Sequence, residues 1–273
     1  MPSYAITGAS RGLGWAFLEE ISNDSSNTVI GIVRDKTATD KRVKDELNGR
    51  PNITILQADI TDYAALKKAA EDTSKITGGH LDYLIANAAL VSKYDGYDGI
   101  GTLGSDPDQL TAQFNAYMTT NVLGNIHLYN LFMPLILAGD AKKVTAISTG
   151  MADLDLVNEF ATYMGPLYAM SKAAMNMVTA KFSAQYKKEG VLFVSISPGF
   201  VDTGNNDVSN LSPEQMEGLQ AMVASFQKYA PHFKGAITPQ ESVKAVLGVI
   251  DKLSLDQGHG GAFLSHLGTK QWL

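Results

Sequence analysis

The chain alternates between short apolar runs and longer segments whose apolar residues recur at helical spacing. This alternation is typical of βα units, which build a parallel sheet covered by helices on both faces. Helices are predicted at about 12–22, 37–47, 62–77, 108–137, 165–188 and 239–253. Strands are predicted at Tyr4–Thr7, Val29–Val33, Ile53–Gln57, Tyr83–Ala86, Val144–Ile147, Leu192–Ser197 and Ala262–Leu264. The pattern therefore predicts an α/β fold with a doubly wound parallel sheet of about seven strands.

Two regions depart from this alternation. Residues 93–105 are rich in glycine and contain two tyrosines, whereas residues 204–237 carry an apolar stripe at helical spacing. Both leave the carboxyl ends of predicted strands, which is the edge where open α/β sheets bind ligands. We expect residues 204–237 to form a lid over a substrate. The alternative is that the stripe packs on the core as an ordinary amphipathic helix.

Composition favours one domain over residues 1–273. Hydrophobic residues make up 45% of the chain and charged residues 18%, and no proline-rich linker, charge block or repeat divides it. The formal net charge of −6 disfavours nucleic acid as a partner. Cysteine is absent and the histidines are scattered, so no metal site is predicted.

The sequence gives no sign of targeting to a membrane. The chain starts with Met1-Pro2-Ser3 and passes directly into an apolar strand pattern, so we expect a cytoplasmic protein. The most apolar stretch, Leu128–Ala138, is too short to cross a bilayer and contains Pro134. It is predicted to be a buried helix.

A glycine-rich turn follows the first strand and opens the first helix. Glycine allows the backbone to turn tightly and to approach a pyrophosphate, whose charge the free N–H groups at the helix start stabilise. The turn therefore predicts a dinucleotide site. Its candidate binding residues are Gly8, Ser10, Arg11, Gly12, Leu13 and Gly14.

The spacing of these glycines, GxxxGxG preceded by Thr7, resembles the short-chain dehydrogenase/reductase family. Further segments continue the resemblance in the family's order as far as residue 203, and Ala89 stands where the family has a glycine. The resemblance implies a Rossmann-like fold, a nicotinamide coenzyme, a small-molecule substrate and a homodimer or homotetramer, with the carbonyl-reductase and C-factor-like members as the most similar. It assigns the coenzyme further contacts at Asp59, Ile60, Asn87, Ala88, Pro198, Gly199, Val201 and Thr203.

The second strand ends where this fold discriminates between coenzymes. An acid at this point favours a free ribose, and a base favours a 2′-phosphate. Arg34 lies 20 residues after Gly14, and Arg11 could supply a second guanidinium, so we predict NADP(H). If Asp35 faces the ribose instead, the coenzyme is NAD(H).

A tyrosine and a lysine four residues apart can transfer a proton. Pairs with this spacing occur by chance, and the chain holds two, Tyr63 with Lys67 and Tyr168 with Lys172. Only the second follows the fifth strand and precedes the predicted nicotinamide segment. Because residues four apart share a helix face, we expect the ammonium of Lys172 to lower the pKa of Tyr168 and make it a usable acid or base.

Other catalytic roles come from the resemblance. It implies that Lys172 also binds the nicotinamide ribose, and that Asn121 holds a water that links the lysine to solvent. The family has a hydroxyl residue at the end of the fifth strand, where this chain has Ser148 and Thr149. Alignment favours Thr149, but neighbouring strand residues point to opposite faces, and the long following segment leaves Ser148 open. That segment, residues 150–167, contains four polar side chains that either contact the substrate or form a solvated loop: Asp153, Asp155, Glu159 and Tyr163.

Taken together, these features predict an NADP(H)-dependent oxidoreductase that transfers a hydride between nicotinamide and a carbonyl or alcohol substrate. The apolar lid favours a hydrophobic substrate. One alternative keeps the fold but acts on an imine or enone, or as an epimerase or dehydratase. Another is a regulator that binds NADP(H) without turnover.

Overall fold

A computed structural model describes residues 1–204 and 211–273. These form a single α/β domain around one parallel sheet with the strand order β3-β2-β1-β4-β5-β6-β7. The order reverses between β1 and β4, which is the switch point of a Rossmann-like fold. The predicted strands are confirmed within one residue: β1 Ser3–Thr7, β2 Thr28–Val33, β3 Ile53–Gln57, β4 Tyr83–Ala86, β5 Lys143–Ile147, β6 Leu192–Ser197 and β7 Phe263–Ser265.

Helices cover both faces of the sheet, and the six predicted ones are confirmed within two residues. Three further helices lie in the regions that departed from the alternation or in the long segment after β5. In chain order the helices are α1 Gly12–Ile21, α2 Lys36–Glu46, α3 Tyr63–Thr77, α4 Ile100–Leu103, α5 Pro107–Tyr117, α6 Gly124–Ala138, α7 Leu154–Phe160, α8 Pro166–Tyr186, α9 Pro213–Tyr229 and α10 Pro239–Lys252.

Most of these helices begin at a residue that satisfies their free N–H groups. Asp35, Asp62 and Asp106 accept hydrogen bonds at the starts of α2, α3 and α5, and Ser212 and Thr238 form capping boxes for α9 and α10. α1 is different, since Arg11 at its start provides no side-chain cap.

The core has two layers, one on each face of the sheet. One layer packs α3, α6 and α8 against the sheet through residues such as Leu66, Phe132 and Met175. The other packs α1, α2 and α10 through residues such as Phe17 and Val246. Because the sheet is buried on both faces, its strands read as continuous apolar runs.

The segment Pro107–Ala138 is one long helix made of α5, a π-helical turn over Met118–Leu123, and α6. By length and composition it could cross a membrane, but more than half of its most apolar window is buried in the fold. Leu128, Tyr129 and Phe132 are fully buried, which confirms the predicted buried helix around Pro134.

Candidate active site

The predicted site residues lie where the strands end at their carboxyl edge. The glycine turn follows β1, Arg34 follows β2, and Asp59 and Ile60 follow β3. Asn87 and Ala88 follow β4, Ser148 and Thr149 follow β5, and Pro198 to Thr203 follow β6. Parallel strands bring all these residues to one edge of the sheet, although they are scattered through the chain.

Close backbone packing explains the glycines of the turn. Gly8 and Gly12 have positive φ values of 70° and 55°, and a Cβ on Gly14 would lie 2.1 Å from the Gly8 carbonyl oxygen. A Cβ on Gly12 would lie 3.5 Å from the Thr203 side chain. The turn therefore contacts the segment after β6, and the fold brings the two predicted halves of the coenzyme site together.

The segment after β4 holds the turn from the other side. Thr7 Oγ1 accepts hydrogen bonds from the backbone N–H groups of Asn87 and Ala88, at 3.1 and 3.0 Å. The Asn87 amide donates to the Thr7 carbonyl oxygen at 3.0 Å. These bonds fix the shape of the turn without occupying the start of α1.

The turn can hold a phosphate group. The free N–H groups at a helix start and the helix dipole favour an anion, and α1 lacks the side-chain cap that α2, α3 and α5 have. The missing cap and the absence of any Cβ at Gly14 fit a dinucleotide pyrophosphate at this position. Ser10, Arg11 and Leu13 belong to the same turn.

Arg42 on α2 is a further support of this turn, and one that the sequence did not predict. Its guanidinium donates to the Ser10 carbonyl oxygen at 2.9 Å and lies 3.9 Å above the centre of the Trp15 ring. The same group forms a two-bond ion pair with Glu46. No motif reveals this contact, because it joins residues 32 positions apart.

At the end of β2, Arg34 and Asp35 are the two side chains on which the predicted coenzyme preference depends, and they lie in different environments. Asp35 Oδ1 accepts a hydrogen bond from the Ala38 N–H at 2.9 Å, so the carboxylate caps α2. Arg34 is exposed beside Asp59. Burial raises the pKa of Asp59, but hydrogen bonds from Thr61 and the charge of Arg34 outweigh it and hold this pKa below its usual value.

Tyr168 and Lys172 lie on the first turns of α8, with the Lys172 Nζ 5.8 Å from the centre of the Tyr168 ring. The expected lowering of the tyrosine pKa is wrong for this structure. Burial raises the pKa of Tyr168 to about 12 and lowers that of Lys172 to about 8. The ammonium donates to the Ile147 carbonyl oxygen at 2.7 Å, so it is directed at β5. Tyr168 is therefore a protonated phenol, suited to donate a proton.

Asn121 lies in the π-helical turn and is buried. Its side chain binds the backbone of Leu90 twice, accepting from the N–H at 2.6 Å and donating to the carbonyl oxygen at 3.0 Å. It also donates to the Ser171 hydroxyl at 2.9 Å. Asn121 thus joins the segment after β4 to α8, one residue from Lys172. Its role in holding a water stays a prediction.

The two candidate hydroxyl groups after β5 have different partners. Ser148 is buried, and its hydroxyl donates to Asn176 Oδ1 on α8 at 2.8 Å. Thr149 is half-buried, and its hydroxyl oxygen accepts the Met151 N–H at 3.3 Å. Ser148 is therefore engaged in packing α8, whereas the Thr149 hydroxyl keeps its proton available for a further acceptor.

A second site feature that sequence analysis missed is Asp95, in the glycine-rich region after β4. The residue is fully buried, and its carboxylate accepts hydrogen bonds from Tyr117 and from the first turn of α8. Nothing in the sequence distinguishes this aspartate from Asp98 nearby, because its partners come from two other elements of the fold.

The region predicted as a lid contains α9, and residues 205–210 of it lie outside the described chain. Phe226 on α9 packs with Phe200 and Phe233, so the base of α9 is attached to the segment after β6. Val201 pairs with Ile237 on the far side of this region. Only part of the apolar stripe packs inward: Phe226 is buried and Leu219 and Tyr229 are half-buried, whereas Met216 and Val223 are exposed.

The long segment after β5 supplies another wall. Asp153 caps α7 and is buried, whereas Asp155 and Glu159 are exposed. Phe160 at the end of α7 packs edge-to-face on Tyr229 of α9, and the Tyr229 hydroxyl accepts the N–H of Trp272 at 2.9 Å. The C-terminal residues therefore join α7 and α9 around the site.

Residues 1–204 and 211–273 contain no cluster of three or more histidine, aspartate or glutamate side chains that could hold a metal ion.

The helix with Tyr168 carries methionines in two environments. Met175 is buried in the core, whereas Met170 and Met177 are exposed.

Comparison with known proteins identifies the same architecture. Residues 3–214 match the family model described as short chain dehydrogenase. The chain is 56% identical over 273 residues, the whole of both proteins, to the short chain dehydrogenase virK of Hypocrea virens. The NADPH-bound carbonyl reductase from chicken fatty liver has a TM-score of 0.76 at 24% identity, with 98% of each chain covered. A Burkholderia cenocepacia short chain dehydrogenase in complex with NADP has a TM-score of 0.71 at 20% identity, covering 98% of this chain and 97% of its own.

Proposed function

The chain belongs to the short-chain dehydrogenase/reductase family of oxidoreductases, and from this premise we propose that it reduces a carbonyl compound with NADPH. The reverse reaction would oxidise the corresponding alcohol with NADP⁺. The single observation that carries the proposal is the convergence at one sheet edge of an uncapped glycine turn with a half-buried tyrosine and a buried lysine.

Several contacts support NADP(H) as the coenzyme. Arg34 is exposed at the end of β2, where a 2′-phosphate would lie in this fold, and the competing Asp35 carboxylate already caps α2. Arg11 is exposed in the turn itself and could join Arg34 on the phosphate. The chicken and Burkholderia proteins with this fold are described with NADPH and NADP, respectively.

Proton transfer is the role proposed for Tyr168. When bound, NADPH supplies a hydride to the carbonyl carbon, and the carbonyl oxygen then needs a proton. With its pKa raised to about 12, Tyr168 carries that proton throughout the physiological range and gives it to the oxygen. The resulting phenolate is stabilised by the Lys172 ammonium and regains its proton from solvent.

Thr149 is the hydroxyl proposed to hold the carbonyl oxygen. Its proton is available to donate, whereas the Ser148 proton is used by Asn176. A hydrogen bond from Thr149 would stabilise the negative charge that develops on the oxygen during hydride transfer. Asn121 would keep Leu90 and α8 in place, and by family resemblance hold the water that returns the proton.

The walls of the site favour a hydrophobic substrate. α9 and its aromatic base, together with Phe160 and Tyr229, would cover the reacting carbonyl from the side of the lid.

We also propose that the protein is a cytoplasmic homodimer or homotetramer without nucleic-acid or membrane partners. The exposed Met170 and Met177 on α8 offer an apolar surface for this assembly.

A labelled coenzyme tests hydride transfer directly. NADPH carrying deuterium on the transferable position is incubated with the protein and a panel of apolar ketones, aldehydes, enones and imines. The proposal expects deuterium on the carbinol carbon of the product. Reduction of an enone carbon–carbon bond or of an imine would support the alternative reactions, and coenzyme binding without product would support a regulator.

A further inference from the structure

Asp95 belongs to no predicted motif, yet it is completely buried next to the helix that carries Tyr168. Its Oδ2 accepts hydrogen bonds from the backbone N–H groups of Leu167 and Tyr168, at 2.9 and 3.0 Å. Its own carbonyl oxygen accepts the Gly165 N–H at 2.9 Å. One residue thus binds three consecutive free donors at the start of α8.

These three donors need a partner. The first N–H groups of a helix have no acceptor within it, and the local residue, Gly165, has no side chain to provide one. The other capped helices use a residue adjacent in sequence, but α8 takes its cap from a loop 70 residues earlier. The start of α8 is therefore fixed by tertiary structure and not by its own sequence.

The second carboxylate oxygen is held by Tyr117. The Tyr117 hydroxyl donates to Asp95 Oδ1 at 2.7 Å and itself accepts the Ser92 N–H at 2.8 Å. Burial, and then the hydrogen bond to Asp95, raise the pKa of Tyr117 well above its usual value, so this hydroxyl stays a donor. The Tyr117 ring lies 6.4 Å from the Tyr168 ring, and both belong to one apolar cluster with Leu103 and Leu167.

The loop that carries Asp95 also contacts the lid helix. A Cβ on Gly218 of α9 would lie 2.1 Å from the Tyr97 carbonyl oxygen, so α9 and the loop touch backbone to backbone. The Gln215 amide on α9 donates to Asp98 at 3.1 Å. Residues 95–98 therefore connect α9 on one side with the first turn of α8 on the other.

We propose that Asp95 is the positioning residue of the site: it sets the direction of the first turn of α8 and thereby places the Tyr168 hydroxyl. This inference rests on the proposed role of Tyr168 as proton donor. A shift of about 1 Å in a catalytic group can cost about 100-fold in rate. Asp95 acts on the rate through Tyr168, since both of its carboxylate oxygens are already bound by donors of the protein.

Two substitutions separate this role from simple stabilisation. Asp95→Ala removes all side-chain acceptors and is expected to lower kcat about 100-fold, while the Kd for NADPH stays within about twofold. Asp95→Asn keeps a neutral acceptor for the α8 amides, about half as strong, and is expected to lower kcat about fivefold. Rates are measured well below the melting temperature and divided by the number of NADPH-binding sites.

Asp106→Ala is the matched control for Asp95→Ala, since it also removes a capping carboxylate. Asp106 caps α5 in the same region but is exposed, and its carboxylate accepts one hydrogen bond, from the Gln109 N–H. We expect it to lower the melting temperature and leave kcat per site unchanged. If both Asp95 variants keep the wild-type kcat, or lose kcat and NADPH affinity equally, the proposal is wrong. If Asp95→Ala does not fold, Asp95→Asn alone decides.

A measurement without substrate separates this proposal from the proposed function. Amide hydrogen exchange at Leu167 and Tyr168 is expected to be more than about tenfold faster in Asp95→Ala than in the wild type. If that variant does not fold, Asp95→Asn is used, and a smaller acceleration over the wild type is expected. No change would refute the role of Asp95 even if no carbonyl compound is reduced. Faster exchange without any turnover by the wild type would instead refute the proposed reduction.

Discussion

The ammonium of Lys172 donates a hydrogen bond to the carbonyl oxygen of Ile147, 2.7 Å away, and so attaches α8 to the end of β5. The lysine is almost fully buried, and its acceptor is neutral. Burial therefore lowers the pKa of Lys172 to about 8, which places the loss of its charge just above neutral pH.

This lowered pKa predicts a pH-dependent stability. Between about pH 8 and its unfolded value of 10.5, Lys172 is protonated in the unfolded chain but neutral in the folded one. The free energy of unfolding therefore rises with pH across this window, by about 3 kcal/mol from this group. Urea titrations across this pH range give the free energy of unfolding of the wild type and of Lys172→Met. The contribution of Lys172 is the part of the difference between these two free energies that changes with pH. A difference that stays constant with pH would contradict the assignment.

Coenzyme preference is expected to depend on Arg34. Arg34→Ala removes a guanidinium from the proposed 2′-phosphate and should weaken NADPH binding by about 10- to 100-fold. NADH binding should change little. Titration of coenzyme fluorescence gives both affinities.

Asp35→Ala provides the control for Arg34. Loss of the α2 cap should cost about 1 kcal/mol of stability and leave the ratio of NADPH to NADH affinity unchanged. If Asp35→Ala instead lowers NADH affinity and Arg34→Ala has no effect, Asp35 faces the ribose and the coenzyme is NAD(H).

The two hydroxyl residues after β5 are expected to respond differently. Thr149→Val keeps the shape and removes the donor, so kcat should fall by about 100-fold or more. Thr149→Ser should restore most of the activity. Ser148→Ala removes the bond to Asn176 and should cost about 1 kcal/mol of stability with a small effect on kcat. Steady-state rates of each variant show which substitution lowers kcat more. A larger loss in Ser148→Ala than in Thr149→Val would assign the catalytic hydroxyl to Ser148.

The glycine turn predicts a contrast between two Gly→Ala substitutions. The new methyl group in Gly14→Ala would overlap the Gly8 carbonyl oxygen, so the turn must open, with loss of coenzyme binding and about 1–3 kcal/mol of stability. Gly248 lies in the interior of α10, and a Cβ added there would meet no atom from outside the helix within 4 Å. Gly248→Ala should therefore raise the free energy of unfolding by about 0.5–1 kcal/mol. Thermal unfolding with and without NADPH compares them. Equal NADPH-induced shifts would contradict the proposed pyrophosphate site.

Much of the fold follows from local pattern. Runs such as Leu192–Ser197 are mostly apolar because both faces of the sheet are covered, and Gly14 is required by its close contact with the Gly8 carbonyl oxygen, six residues earlier. The predicted positions of Tyr168 and Lys172 also followed from chain order, since both come after β5 and before the segment at Pro198.

Other features depend on tertiary structure that no local pattern contains. Asp95 reaches its partners across 72 residues, and Arg42 reaches Ser10 across 32. The pKa of Tyr168 was predicted with the wrong sign because helical spacing shows which residues are neighbours, but not how far each is removed from water. The proposal that Arg34, and not Asp35, faces the ribose likewise rests on the hydrogen bond by which Asp35 caps α2.

The most direct test of the account is Tyr168→Phe, which removes the proton donor and keeps the aromatic ring. NADPH affinity and NADPH oxidation are measured for this variant and for the wild type, with carbonyl compounds that the wild type reduces. The account predicts an unchanged NADPH Kd and a fall in kcat of about 100- to 10,000-fold. A variant that binds NADPH and still reduces the same compounds at the wild-type rate would contradict the central claim that Tyr168 donates the proton.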